Sequence, residues 1–132
     1  MIGLDTNILV HSVVLQDEDK HRRAQQFLLE RIARRDYAIS VQVVAEFYRT
    51  ILRIAPQRLR DAIELVGILI ENGVVFHYDA EIAARAAERT PTPKKYWDVL
   101  LAETYRWHGI DIIATENESD FKGFIKTINP LR

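Results

Sequence analysis

Asp5, Glu46, Asp98 and Asp120 are acidic residues in four separate segments of a 132-residue chain, each set beside apolar sequence. Asp5 closes the stretch Ile2-Gly3-Leu4 and is followed at once by Thr6-Asn7. Asp120 lies in the run Thr115-Glu116-Asn117-Glu118-Ser119-Asp120-Phe121, just after Ile110-Asp111-Ile112-Ile113-Ala114. Glu46 and Asp98 sit inside apolar helical patterns, where a bare charge is costly to bury. Carboxylates that converge in a cleft repel one another, so a positive partner is needed. Mg²⁺ or Mn²⁺ suits such a set, since hard divalent cations take oxygen ligands. Carboxylate-bound metal points to phosphodiester or phosphoryl chemistry.

Each acid also has a simpler local reading. Asp5 can be the N-cap of a following helix. Glu46 can face solvent or pair with Arg49 one turn on. Asp98 can be a first-turn acid favoured by the helix dipole, and Asp120 can cap a turn ahead of Phe121. The chain holds nineteen Asp and Glu residues, so position alone does not select four. The residues flanking them do.

Composition narrows the classes. With 48% apolar and 28% charged residues, the chain reads as one soluble globular domain over residues 1–132. Cysteine is absent, which excludes disulfides and thiolate metal sites and fits a reducing compartment. Met1 to Asp5 has neither the basic region nor the apolar run of a signal peptide, and no stretch is long and apolar enough to span a bilayer. A cytoplasmic protein with no membrane partner is expected. His11, His21, His77 and His108 have no mutual spacing of a ligand set and read as surface or packing residues. Net charge is −1, yet Lys20 to Arg60 carries ten Lys and Arg against Glu30, Asp36 and Glu46. That local excess can steer a polyanion toward an acidic metal site, although most of it reads as solvated helix faces.

The elements that must position these residues alternate between strand and helix. Met1–Leu4, Tyr37–Ile39, Val74–Phe76, Ile110–Ala114 and Lys126–Ile128 read as strands. Helices are expected from Thr6 or Asn7, over His21–Arg35, after Ser40 as N-cap, over Gln57–Glu71, over Ala80–Ala87 behind Asp79, and over Lys95–His108 to Gly109. Thr90-Pro91-Thr92-Pro93 reads as a loop. Continuous apolar strands without hairpin signals predict a three-layer α/β/α sandwich, its mainly parallel sheet buried on both faces. Ligands bind such sheets at the carboxyl ends of the strands. Asp5 and the Thr115–Asp120 run leave strands there, and Glu46 and Asp98 come early in helices that start there.

Leu4-Asp5-Thr6-Asn7, the Ser40…Ala45-Glu46-Phe47 helix, Trp97-Asp98 with Ala102, Thr115-Glu116-Asn117…Asp120-Phe121 and the closing Ile128-Asn129-Pro130 together resemble the PIN domain. In size and motif order the chain is similar to VapC-type toxins of toxin–antitoxin pairs. The resemblance implies a metal-dependent endoribonuclease whose acidic triad is Asp5, Glu46 and Asp98, with Asp120 a fourth contributor. Mg²⁺ or Mn²⁺ there would engage the scissile phosphate and activate water. Thr6, Asn7, Thr115 and Asn117 would be supporting residues; Asn117 stands where many relatives have aspartate. The resemblance further implies an RNA substrate, a cognate antitoxin and a homodimer, with Arg22, Arg23, Arg49 and Arg53 as RNA-binding candidates. Leu28, Leu29, Ile32, Tyr48 and Leu52 are apolar residues suited to core packing or to a protein contact. Trp97 and Tyr96 can stack on a base, but at a helix start Trp97 reads rather as core.

Two other classes compete. A phosphoacceptor domain also gathers carboxylates around Mg²⁺, but needs an acidic pair after the first strand; Thr6-Asn7 stands there instead. A PIN-like scaffold without activity, binding RNA or protein, is the second, and the neutral Asn117 is the residue in its favour.

Overall fold

Short β-branched runs become strands, and every one of them pairs in parallel. In this computed structural model, which describes Met1 to Arg132, the strands are β1 (Ile2–Leu4), β2 (Tyr37–Ser40), β3 (Val74–Phe76), β4 (Ile112–Ala114) and β5 (Lys126–Ile128). They form one sheet in the order β3-β2-β1-β4-β5. Six helices connect them: α1 (Thr6–Val13), α2 (Glu18–Arg34), α3 (Val41–Ile54), α4 (Leu59–Asn72), α5 (Ala80–Arg89) and α6 (Tyr96–Trp107). The expected parallel α/β fold is therefore present.

Side-chain caps set most of the helix starts. Asp5, Asp17, Ser40 and Asp79 each accept a hydrogen bond from an amide of the helix they precede. Asp17 explains why α2 begins three residues before the expected His21: Glu18 and Asp19 also suit the positive end of the helix dipole. That helix stops where Arg35 turns left-handed at φ 52°, and Gly109 at φ 82° follows α6. β4 begins two residues later than expected. The amide of Ile110 still donates to the Tyr105 carbonyl at the end of α6, 2.9 Å away, so it is not free to join the sheet.

The main core lies where α1, α3 and α4 meet the sheet, built on Leu4, Ile8, Leu9, Ile39, Val43, Phe47, Ile51 and Leu69. A smaller cluster of Ile82, Ala86, Val99 and Leu100 joins α5 to α6. Tyr105 of α6 lies flat against the sheet where Gly3 leaves room: a Cβ on Gly3 would sit 2.7 Å from its ring. The Tyr105 hydroxyl donates to the Leu4 carbonyl at 2.5 Å.

Two packing expectations fail, and one helix shows a split apolar face. The sheet is not covered at its β3 edge, where Val74 and Val75 are exposed. On α4, Val66 and Leu69 are buried but Ile63 and Ile70 face outward. Trp97 is not core: it is 56% exposed. A helix buries only the stripe facing its neighbours, and Ile63, Ile70 and Trp97 lie off that stripe, while β3 is open because it is the last strand of the sheet. No helix is long and apolar enough to cross a membrane.

Candidate active site

The chain runs from β1 out to β2 and β3, then returns to lay β4 on the other side of β1. Connections leaving β1 and β4 therefore diverge, and the crevice between their carboxyl ends is where parallel sheets bind ligands. Asp5 follows β1 and Thr115 follows β4; the Asp5 amide donates to the Ala114 carbonyl at 3.0 Å. Asp5 is the α1 N-cap, accepting from the Thr6 amide at 2.8 Å through Oδ1. Its Oδ2 accepts from Thr115 Oγ1 at 2.7 Å and Asn7 Nδ2 at 3.1 Å. The capping and site readings of Asp5 thus coexist in one side chain.

A cavity of about 470 Å³ opens over Asp5, and Glu46, Asp98 and Asp120 line it together with Thr6, Asn7 and Asn117. Glu46 reaches it from the second turn of α3. It does not pair with Arg49. Thr6 Oγ1 donates to its Oε2 at 2.9 Å, and Gln42 Nε2 to its Oε1 at 3.1 Å. Asp98 comes from the first turn of α6. Asp120 sits in the 3-10 turn Glu118–Phe121, with Lys95 Nζ 3.4 Å from its Oδ1.

Electrostatics single out the same group. Burial pushes the Asp5 carboxyl up to about 6 against the bonds from Thr115 and Thr6, and the charges of Glu46 and Asp98 push the same way. Asp98 is also raised, by burial first and then by Asp120 and Glu46, with Lys95 opposing. The cavity thus gathers negative charge that only Lys95 and Arg53 counter among its immediate surroundings. All its charged donors are carboxylate oxygens, the chemistry that suits Mg²⁺ or Mn²⁺ rather than a soft metal. As the side chains stand, no three His, Asp or Glu groups converge on one point. The residues fit a divalent cation in type, charge and location.

The basic candidates separate. Arg53 lines the cavity. Arg22 and Arg23 are bound to Asp19 on their own helix, and Arg49 is not part of the lining. A helix places residues one turn apart on one face, which brings Arg53, Thr50 and Glu46 of α3 together, whereas Arg22 and Arg23 belong to α2.

Several site residues escaped the sequence reading. His11, expected at the surface or in packing, lines the cavity, and its Nε2 donates to Glu116 Oε2 at 2.9 Å. Lys20 also binds Glu116. Burial raises the Glu116 carboxyl, but the bonds from Lys20 and His11 outweigh it and hold the group below the ordinary glutamate range. The Glu116 amide donates to Asn7 Oδ1 at 3.0 Å, which ties this trio to Asp5. Gln42 carried a readable signal, since it precedes Glu46 by four residues on one helix face. The contact of His11 and Lys20 with Glu116 carried none, because only the fold brings residues 96 and 105 positions apart together.

Comparison with known proteins agrees with this geometry. The PIN domain family matches residues 2–124. Ribonuclease VapC24 of Mycobacterium tuberculosis is 30% identical, the alignment covering 99% of this chain and 97% of that protein. Among solved structures, the fold is similar to Mycobacterium tuberculosis VapC20, a Sarcin-Ricin loop cleaving toxin. The TM-score is 0.74 at 18% identity, over 96% of this chain and 98% of that one. A toxin–antitoxin complex from Klebsiella pneumoniae matches with TM-score 0.71 at 21% identity over 98% of both chains.

Proposed function

The chain belongs to the PIN domain family, and on that premise we propose that it is a Mg²⁺- or Mn²⁺-dependent endoribonuclease, the toxin of a VapBC-type pair. The observation that carries this reading is the cavity at the β1/β4 crevice, where acids from four distant segments meet. Its relative of 30% identity is named a ribonuclease, and similar folds occur in toxin–antitoxin complexes.

Asp5, Glu46 and Asp98 are the catalytic acids, with Asp120 the fourth. Asp5, Glu46, Asp98 and Asp120 would hold a divalent cation, which would supply Lewis acidity toward phosphate oxygen and an acidified water. Thr115, Asn7 and the Thr6 amide fix the Asp5 carboxylate, and Thr6 and Gln42 fix Glu46, so both are oriented before substrate arrives. Asn117 and Asp120 border the opening from the segment after β4, and Arg53 offers a cation to the phosphate backbone. Exposed Leu29 and Ile68 border an apolar groove between α2 and α4, which suits an amphipathic antitoxin segment. The outward Ile63 and Ile70 of α4 suit a second copy of the chain.

The test is cleavage of purified transfer, ribosomal and messenger RNA with Mn²⁺, with Mg²⁺ and with EDTA, for wild type beside Asp5→Asn and Asp98→Asn. Metal-dependent cuts at discrete positions, absent from both variants, are expected. Equal cutting by all three proteins would identify a contaminant and remove the proposed site.

A further inference from the structure

Next to Asp98, on the outside of the acidic cavity, the first turn of α6 holds an indole open to solvent. Three aromatic side chains are exposed, Tyr78, Trp97 and Trp107, and only Trp97 adjoins a residue of that cavity. Trp107 already has a partner: the Arg85 guanidinium lies 4.9 Å from its ring centre. Trp97 has no cation over it and forms a T-shaped pair with Tyr96, with centroids 5.5 Å apart and planes at 71°. Tyr96 is itself anchored, half-buried against α5 with its hydroxyl 3.3 Å from the Ala83 carbonyl. An edge contact orients a ring while leaving a face free.

The indole is also linked to the acids through the backbone. Gln42 Nε2 donates to the Trp97 carbonyl at 2.9 Å and to Glu46 Oε1 at 3.1 Å. One amide therefore holds the first turn of α6 and a site carboxylate in fixed relation. Lys94 and Lys95 precede the ring, and Lys95 reaches Asp120 across the cavity mouth. An exposed flat ring, with lysines just before it and a site carboxylate just after it in the chain, matches a nucleotide: base on the ring, phosphate toward the site.

Resting on the ribonuclease reading, we infer that Trp97 is a stacking subsite for a single-stranded nucleobase beside the scissile phosphate. Helix geometry turns successive side chains by about 100°, so Trp97 and Asp98 face different directions from one turn. A base unstacked onto Trp97 would leave its neighbouring phosphate free to reach Asp98. Every base has a π-face, so the subsite selects an unpaired nucleotide rather than a particular letter.

The experiment uses a short synthetic RNA carrying the strongest cut site found on purified RNA, in two forms: intact, and abasic at the nucleotides flanking the cut. On intact RNA, Trp97→Ala lowers kcat/KM by about tenfold, within the range for loss of one base–aromatic stack, and Trp97→Phe recovers most of it. On abasic RNA, wild type and Trp97→Ala cut alike. Equal loss on both RNAs would make Trp97 a protein contact or a support for the fold and overturn the inference; no loss on either would overturn it too. A second readout uses the Trp107→Phe protein, whose one indole is Trp97, with an RNA dodecamer in EDTA. Its emission is quenched as the RNA binds, and unchanged emission while anisotropy reports binding counts against stacking. If wild type cuts no RNA in a manner sensitive to Asp5→Asn, the ribonuclease reading itself fails and the subsite with it.

Discussion

Thr115 Oγ1 donates a 2.7 Å hydrogen bond to Asp5 Oδ2, joining residues 110 positions apart at the ends of neighbouring parallel strands. The same oxygen of Thr115 accepts from the Asn117 amide at 3.0 Å, so one buried hydroxyl fixes both the central carboxylate and the segment that follows β4. Thr115→Val keeps the shape and removes the hydroxyl. It is expected to cost about 1–3 kcal/mol of stability, because buried partners lose their bond. The Thr115 bond is the foremost influence lowering Asp5, so its loss raises Asp5 further. The acid limb of the pH–rate profile then moves to higher pH, and an unmoved limb would show that Asp5 does not govern it.

Asp5 keeps its proton in the fold up to about pH 6, against an ordinary value of 3.8. Across that window the folded chain binds more protons than the unfolded one, so stability in EDTA falls as pH rises from 4 to 6. About 2 kcal/mol of the fall lies between pH 4 and 6, and the complete titration totals about 3 kcal/mol at 1.36 kcal/mol per pH unit. Asp5→Asn removes the buried charge. Its denaturation midpoint at pH 7.5 in EDTA should equal or exceed that of wild type, with the advantage gone at pH 4. RNA cleavage should nevertheless vanish. A variant less stable at pH 7.5 than at pH 4, relative to wild type, would contradict this account.

Divalent cations should reverse the same repulsion. Mn²⁺ held by these carboxylates would bind the folded chain alone, so it is expected to raise the melting temperature of wild type in a concentration-dependent way. Asp5→Asn and Asp98→Asn should show a smaller rise. Equal rises in all three proteins would place cation binding elsewhere.

Arg53 lines the cavity, whereas Arg22 and Arg23 are engaged by Asp19 on the exposed side of α2. Arg53→Ala is expected to weaken RNA binding and lower the salt-dependence slope by about one, as for a lost phosphate contact. Arg22→Ala and Arg23→Ala should do neither. Binding isotherms over a salt series separate the two cases.

Two glycines should respond in opposite directions. A Cβ at Gly3 would meet the Tyr105 ring at 2.7 Å, so Gly3→Ala is expected to destabilise by about 1–3 kcal/mol through overpacking. Gly67, inside α4, has open space around the position a Cβ would take. Gly67→Ala should stabilise by about 0.5–1 kcal/mol, the helix preference of alanine over glycine. Urea midpoints of both variants measure this directly.

The local physics of the chain was legible in its residues. Asp5, Ser40 and Asp79 announce helix starts because a short side-chain oxygen satisfies a free amide within three residues. The apolar runs at β1, β2, β3, β4 and β5 announce strands, and their spacing with helices between them announces a parallel sheet. From that edge logic the cavity acids Asp5, Glu46, Asp98 and Asp120 could be grouped, with the resemblance to a family selecting them from nineteen. Sequence does not carry the direction in which a helix is rolled against its neighbours. That rotation exposes Trp97, Ile63 and Ile70, brings Arg53 rather than Arg22 to the cavity, and turns His11 from an unremarkable residue into part of its wall. Backbone preferences act over a few residues and can be read in order along the chain. Contacts such as Thr115 to Asp5 or Lys20 to Glu116 depend on which strands become neighbours, and tertiary packing alone decides that.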